Sequence, residues 1–99
     1  MNFGLALEAL KQGQAVERKG WNGRNMFLYY VAENSYPVSG NPNSAVKGLF
    51  PDDMVPYGAY IAMKTAQGNV VPWLASQTDV LADDWGFKSF LVSGGAGGS

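Results

Sequence analysis

The sequence contains neither cysteine nor histidine. Without cysteine there can be no disulfide, no thiolate nucleophile and no zinc–cysteine site. Without histidine the chain lacks the commonest general base and the commonest metal ligand. We therefore expect a protein that is not an enzyme, with no catalytic residues, no metal site and no cofactor.

Charge of either sign is also scarce. Seven Lys and Arg residues oppose eight Asp and Glu residues, which gives a net charge of -1. A duplex-DNA binder needs a basic stripe to neutralise phosphates, so that class is not expected, although one local cationic pocket is compatible with this balance. No run approaches the roughly 20 apolar residues of a membrane span, and the N-terminus does not read as a signal peptide. A cytoplasmic location is the default expectation.

Aromatic residues, by contrast, are abundant, at 13% of a 99-residue chain. This length suits one small α+β domain, which we place at residues 1–92, followed by a flexible Gly/Ser tail at 93–99 of the kind left by an expression vector. A small domain buries a limited fraction of its surface, so self-association would help it. Aromatic residues beyond the needs of the core are typical of an interface or a ligand pocket.

Local signals predict the first half of the fold. Asn2 is a helix N-cap, apolar residues recur at helical spacing over 3–12, and Gly13 ends the helix. Residues 14–19 are predicted as a short strand. The β-rich run 26–31 is apolar on both faces, which predicts a central strand.

The second half begins with a stretch, 33–56, in which proline and glycine break any periodicity. We predict a long loop that covers a pocket or embraces a partner subunit. A hairpin follows at 60–65 and 69–73, then a helix from Ser76 to about Trp85 and a last strand. The predicted class is α+β, a small antiparallel sheet with an N-terminal helix and a second short helix near the C-terminus. The last strand is predicted at 87–92, after a helix stop at Gly86.

The segment RKGWNG at 18–23 has two interpretations. Trp21 either plugs the core at the junction of strand and loop, or offers a stacking platform to a base, a contact worth roughly 1–3 kcal/mol. In the second case Arg18 and Lys19 would neutralise phosphate. Asn22, in its turn dipeptide, would form a hydrogen bond with a base edge or a ribose hydroxyl. The flanking glycines would let the backbone approach the ligand closely.

The segment PWLASQTD at 72–79 is equally open. Ser76 alone is sufficient as the N-cap of the helix, so Gln77 and Thr78 are not needed for capping. The free N–H groups of a helix N-terminus favour anions, whereas Asp79 suits a ribose diol or a base donor. Cap and binding site therefore both remain as interpretations.

Two acidic pairs are weaker candidates. Asp83-Asp84 lies near the predicted end of a helix, where acids are mildly unfavourable, so it either pairs with a cation of another subunit or is ordinary surface. Asp52-Asp53 in the long loop lacks a further clustered acid and is a poor metal site.

Two blocks of the sequence carry a resemblance. The first runs from residue 1 to residue 23 and ends in VERKGWNG; the second runs from 63 to 85 and contains MKTAQG and PWLASQTDVLADDW. In order and separation they are similar to the second type of Thoeris anti-defence protein, a family encoded by phages and prophages. The two blocks cover about half of the chain.

The resemblance implies a sponge in the cytoplasm of an infected bacterial host. Such proteins bind glycocyclic ADP-ribose, the nucleotide signal of Thoeris, without cleaving it, and some relatives also take up CBASS cyclic oligonucleotides. The family forms homotetramers with pockets between protomers.

The resemblance also implies roles for individual residues. Relatives often carry a histidine and an acid just before the Met-Lys-Thr segment, and the corresponding residues 57–62 of this chain include neither. If those residues contact ligand in relatives, the specificity of this protein is expected to differ. In the implied site Trp21 is the base platform, Asn22 is a polar contact and Arg18 is a phosphate partner. Gln77, Thr78 and Asp79 form the polar group that faces ribose or phosphate. Trp73 supports the pocket wall and Tyr29 lines the pocket.

Other functions remain open on the sequence. The runner-up is a phage protein-interaction or assembly module with Trp21 and Trp73 as interface anchors. A hydrolase that destroys the signal is a third possibility. A single-strand nucleic-acid binder is the least favoured, given the charge balance.

Overall fold

The computed structural model describes residues 1–21, 24–38 and 44–90. It confirms the predicted class, with an antiparallel sheet, an N-terminal helix and a short second helix near the C-terminus. In chain order the elements are helix α1 (Phe3–Lys11), strand β1 (Val16–Arg18), a 3₁₀ turn (Lys19–Trp21), β2 (Phe27–Val31), β3 (Asn34–Pro37), a 3₁₀ turn (Pro51–Asp53), β4 (Met54–Tyr57), β5 (Tyr60–Lys64), β6 (Val70–Pro72), helix α2 (Gln77–Val80) and β7 (Trp85–Phe87).

Helix α1 begins and ends where its local signals place it. The side chain of Asn2 accepts a hydrogen bond of 3.0 Å from the backbone N–H of Leu5, which satisfies one of the free donors of the first turn. At the other end Gly13 has a φ of 90° and donates its N–H to the carbonyl of Leu10. The prediction of a helix over 3–12 is thus confirmed to within one residue.

The main sheet has five strands in the order β6-β5-β2-β1-β7, and every neighbouring pair is antiparallel. β2 lies in the middle, as its apolar sequence predicts. The predicted hairpin is also confirmed, because β5 and β6 pair across the turn that contains Gly68. β1 is shorter than the predicted strand and covers only Val16–Arg18.

The core lies between α1 and one face of this sheet. Small alanines on α1 let the helix approach the strands closely. Side chains alternate along a strand, so Phe27 and Tyr29 point to the face that α1 does not cover. The buried cluster consists of Ala6, Ala9, Leu10, Val16, Leu28 and Trp85.

The predicted long loop over 33–56 is wrong at both of its ends. β3 and β4 pair there in a separate two-stranded sheet, with Ser35 opposite Pro56 and Pro37 opposite Met54. Proline is tolerated because each strand of a two-stranded sheet has an open edge, where no ladder N–H is required. Residues 39–43 lie outside the described part of the chain.

The predicted helix from Ser76 to Trp85 is also too long. α2 ends at Val80, and Trp85 begins β7, in which Gly86 pairs with Glu17 instead of ending a helix. The backbone here is extended because it pairs with β1, and Trp85 is buried in the core, so tertiary contacts override local propensity. The last strand therefore covers Trp85–Phe87 and not 87–92.

Some predictions fall outside the described residues. These are the Asn22-Gly23 turn, the end of the predicted last strand, and the tail at 93–99. In the described parts of the chain, no helix has the length and apolar character needed to cross a membrane.

Candidate functional site

All three tryptophans of the sequence meet in one cluster. Trp85 is its buried member, with 3% of its surface exposed, while Trp21 and Trp73 are half-buried. The Trp21 and Trp85 ring centroids are 5.4 Å apart at an interplanar angle of 79°, and the Trp73 and Trp85 centroids are 6.0 Å apart at 86°. Phe3 of α1 contacts both Trp73 and Trp85. The two outer indoles are thus set edge-to-face against a fixed central one.

An ion cluster formed by Arg18, Asp79 and Asp84 also involves the segment that carries Trp21. Arg18 at the end of β1 donates from Nε to Asp84 Oδ1 and from Nη1 to Asp79 Oδ1, both at 2.8 Å. The exposed fractions are only 16% for the Arg18 side chain and 15% for Asp79, against 31% for Asp84. One cation therefore faces two carboxylates in a partly buried setting, and charge-assisted bonds of this kind are stronger than hydrogen bonds between neutral groups.

Asp84 holds the turn that leads to Trp21. Its carboxylate accepts the backbone N–H of Gly20 at 2.8 Å, and its carbonyl accepts the N–H of Lys19 at 3.0 Å. A Cβ at Gly20 would lie 2.9 Å from Asp84 Oδ2. Gly20 therefore allows the backbone to approach Asp84, a role different from the approach to a ligand expected from the sequence.

Asp79 connects α2 to this cluster. Ser76 caps the helix, since its Oγ accepts the N–H of Asp79 at 3.0 Å, and its hydroxyl donates to Asp79 Oδ2 at 2.9 Å. The backbone carbonyl of Asp79 accepts the Trp85 indole N–H at 2.9 Å. The predicted N-cap is confirmed, and one short helix is joined both to the cation and to the buried tryptophan.

The electrostatics of the cluster favour its ionised form. Hydrogen bonding from Arg18 is the main reason that the pKa of Asp84 is lowered from its ordinary value of 3.8. Burial acts to raise the pKa of Asp79, but hydrogen bonds from Arg18 and Ser76 and the charge of Arg18 lower it overall. The hydrogen bonds that Arg18 donates to Asp84 and Asp79 raise the pKa of Arg18. All three groups are charged at neutral pH.

Of the residues predicted to form the site, four lie around Trp85. Trp21 and Trp73 contact its ring, Asp79 accepts its indole N–H, and Arg18 is opposite it in the β1–β7 register. Arg18 was predicted to be a phosphate partner, and a phosphate would have to compete with the two carboxylates that already accept hydrogen bonds from this guanidinium.

The other predicted residues are placed differently. Gln77 and Thr78 are exposed on the first turn of α2, next to Asp79. Asn22 lies outside the described residues. Tyr29 points to the sheet face opposite α1, away from the tryptophan cluster, because it alternates with the buried Leu28 along β2.

Sequence reasoning missed the parts played by Asp84 and Trp85. Asp84 was expected to pair with another subunit or to be ordinary surface, whereas it pairs with Arg18 of its own chain. Trp85 was expected at the end of a helix. The signal that could have found it is the aromatic, alternating run Trp85-Gly86-Phe87, which is typical of a short strand.

Two open grooves involve other aromatic residues. One, of about 340 Å³, is lined by Tyr36, Tyr57 and Tyr60 among others. The other, of about 430 Å³, lies over the sheet face that α1 does not cover, and includes Tyr29 and Phe90. Within residues 1–21, 24–38 and 44–90, no group of three or more Asp and Glu side chains could hold a metal ion.

Comparison with known proteins identifies the class to which this fold and cluster belong. The sequence model of the Thoeris anti-defense 2-like domain matches residues 1–87, a range that contains every residue of the tryptophan and ion clusters. The match defines a phage anti-defence protein. More particularly, the chain belongs to the Thoeris anti-defense 2 family. It is 43% identical over 89 residues to Thoeris anti-defense 2 of Bacillus phage SP01, an alignment covering 90% of this chain and 96% of that protein.

Proposed function

We propose that this protein binds a cyclic nucleotide immune signal of the glycocyclic ADP-ribose class and sequesters it without cleavage. The bound signal then cannot activate the Thoeris effector. CBASS cyclic oligonucleotides are proposed as further ligands of the same kind. The observation that carries the proposal is the placement of a half-buried Trp21 beside a polar cluster in a member of this anti-defence family.

Trp21 suits the role of base platform. Its edge-to-face contact with Trp85 fixes the plane of the indole before any ligand arrives. Stacking of a base on such a ring contributes roughly 1–3 kcal/mol and does not depend on the identity of the base. A preset ring also avoids the entropy cost of ordering a mobile side chain on binding.

The first turn of α2 supplies the polar contacts. Gln77 and Thr78 are exposed there and offer an amide and a hydroxyl, and Asp79 adds a carboxylate that is fixed by Arg18 and Ser76. These groups match the hydroxyl donors of ribose. Asn22, which follows Trp21 in the sequence, is proposed as a further polar contact to the ligand.

Binding alone is sufficient for this function. The sequence has no histidine and no cysteine, so neither of the commonest groups for acid–base or nucleophilic attack on a phosphate or glycosidic bond is available. Sequestration of a signal present below micromolar concentration requires a binding free energy of roughly -9 to -12 kcal/mol.

We further propose a cytoplasmic homotetramer with pockets between protomers. Leu74 and Leu81 flank α2 and are 90% and 77% exposed. Covering them with a second copy would remove apolar surface from water beside the proposed pocket. Light scattering coupled to gel filtration measures the assembly, and a monomer at micromolar concentration would contradict it.

The proposed function is tested by calorimetric titration with glycocyclic ADP-ribose and a panel of cyclic di- and trinucleotides. The complex is then heat-denatured and the released ligand is analysed by chromatography. Tight binding with intact ligand is the expected result, whereas a cleaved ligand would show a hydrolase. An absence of binding across the panel would favour a protein-interaction module with Trp21 and Trp73 as interface anchors.

A further inference from the structure

The dipeptide Asp84-Trp85 contacts every residue of the segment Arg18–Trp21. Asp84 takes hydrogen bonds from the Arg18 guanidinium, the Lys19 N–H and the Gly20 N–H, and Trp85 then meets the ring of Trp21. These contacts join residues more than 60 positions apart in the chain. The turn that presents Trp21 is therefore held from one side by one short piece of chain.

Asp84 acts at the point where the sheet ceases to hold this segment. The register of β1 and β7 ends with Arg18 opposite Trp85, and the backbone then leaves the strand for the 3₁₀ turn Lys19–Trp21. A three-residue turn of this kind has little intrinsic stability. Its first two N–H groups are satisfied by Asp84, through the carbonyl and the carboxylate in succession.

Gly20 shows how closely the carboxylate is fitted to the turn. A Cβ at this position would lie 2.9 Å from Asp84 Oδ2 and 3.2 Å from Arg18 Nη2. A methyl group there would require the Asp84 carboxylate to shift and the Arg18 guanidinium to move by a few tenths of an ångström. Gly20 is not in the left-handed region of the backbone, so close approach is the feature that requires glycine.

We propose that Asp84 is a positioning residue for Trp21, and that the main role of Arg18 is to hold the Asp84 carboxylate in place. Asp84 does not touch the ligand in this proposal; it fixes the turn, and the turn fixes the indole. Arg18 orients the carboxylate through Nε and is itself balanced by Asp79. The expected loss of ligand affinity when Asp84 is changed rests on the proposed function, whereas the expected loss of a fixed orientation of the Trp21 indole does not.

The test uses near-ultraviolet circular dichroism of the protein without ligand, since a fixed tryptophan pair gives a strong signal there. The difference between the wild type and Trp21→Phe defines the contribution of Trp21. Asp84→Asn and Gly20→Ala are expected to lose at least half of that contribution. The matched controls Asp83→Asn, at the neighbouring acid, and Gly58→Ala, where a Cβ would meet nothing within 4 Å, are expected to retain it.

The second measurement is calorimetric titration of the same variants with glycocyclic ADP-ribose. Asp84→Asn and Gly20→Ala should bind about tenfold more weakly, which corresponds to about 1.4 kcal/mol, and the controls should match the wild type. Failure of the wild type to bind would refute the proposed function. The circular dichroism result would then decide by itself whether Asp84 positions Trp21.

Two results would overturn the positioning role. One is a Trp21 signal in Asp84→Asn equal to that of the wild type. The other is unchanged affinity in a variant whose Trp21 signal is lost. If Asp84→Asn does not fold, Asp84→Glu keeps the charge and moves the carboxylate by one methylene, and it must show the same loss of signal for the proposal to stand.

Discussion

The indole of Trp21 stands nearly perpendicular to that of Trp85, with ring centroids 5.4 Å apart and an interplanar angle of 79°. Trp85 is buried in the core against α1, whereas Trp21 is half-buried at the rim. The contact transmits the rigidity of the core to a partly exposed ring. A surface aromatic that is already oriented is a better platform for a planar ligand than one that must be ordered on binding.

The first prediction concerns Trp21 itself. Trp21→Ala is expected to reduce affinity for the nucleotide signal at least tenfold, because it removes a stacking contact of roughly 1–3 kcal/mol. The fold should persist, since Trp21 lies at the edge of the core and not within it. Calorimetric titration measures the affinity, and far-ultraviolet circular dichroism checks the fold.

A matched control for Trp21→Ala is Tyr36→Ala, which removes a 50% exposed aromatic ring from the separate two-stranded sheet. This variant should bind like the wild type. The affinity of Trp21→Phe should lie between those of Trp21→Ala and the wild type, because the smaller ring still stacks on a base. Equal affinity of Trp21→Ala and the wild type would refute the platform assignment.

The second prediction concerns the stability that Trp85 provides. Trp85→Phe is expected to lower the free energy of unfolding by about 2 kcal/mol, because it shrinks a buried ring and removes the N–H bonded to the Asp79 carbonyl. Urea unfolding measures the change. Trp73→Phe, at a half-buried position, should cost less, and a larger cost there would contradict the central place of Trp85.

The parts of this fold that could be predicted from sequence are those fixed by neighbours in the chain. Asn2 and Gly13 mark the ends of α1 through bonds to residues within a few positions. The hairpin of β5 and β6 is fixed by its short turn, and β2 by a run of residues suited to burial on both faces.

The parts that could not be predicted depend on distant residues. The extended backbone at Trp85 exists because it pairs with Arg18, and the hydrogen bonds from Arg18 to Asp79 and to Asp84 span 61 and 66 positions. Nothing in the local pattern around Asp84 distinguishes it from the exposed Asp83. For the same reason the pairing of Arg18 within its own chain could not be predicted from the sequence and had to come from the structure.

The third prediction is a dependence of stability on pH. Hydrogen bonding from Arg18 holds the pKa of Asp84 below 3.8, and its bonds also lower the pKa of Asp79. Because the folded state binds protons less readily than the unfolded state, these carboxylates stabilise the fold fully at neutral pH. That contribution falls once the pH drops below about 5, as the unfolded chain begins to take up protons, and disappears below the folded-state pKa values.

Urea unfolding of the wild type and Asp84→Asn between neutral pH and pH 3 checks this dependence. The variant has one depressed carboxylate fewer, so its stability should fall less steeply on acidification. Asp83→Asn serves as the control for loss of one acid near the cluster and should follow the wild type. If the unfolding free energies of the wild type and Asp84→Asn changed in parallel with pH, Asp84 would titrate alike in the folded and unfolded states. That result would contradict the role assigned to its hydrogen bond with Arg18.

The fourth prediction concerns the cap of α1, the helix that supports the tryptophan cluster from behind through Phe3. Asn2→Ala removes the oxygen that accepts the Leu5 N–H, and should lower the free energy of unfolding by about 1 kcal/mol. Asn2→Asp keeps an acceptor at the cap and should cost little. If Asn2→Ala unfolds at the same urea concentration as the wild type, the side-chain cap contributes nothing to the stability of α1, and contacts such as the packing of Ala6 and Leu10 in the core hold the helix against the sheet.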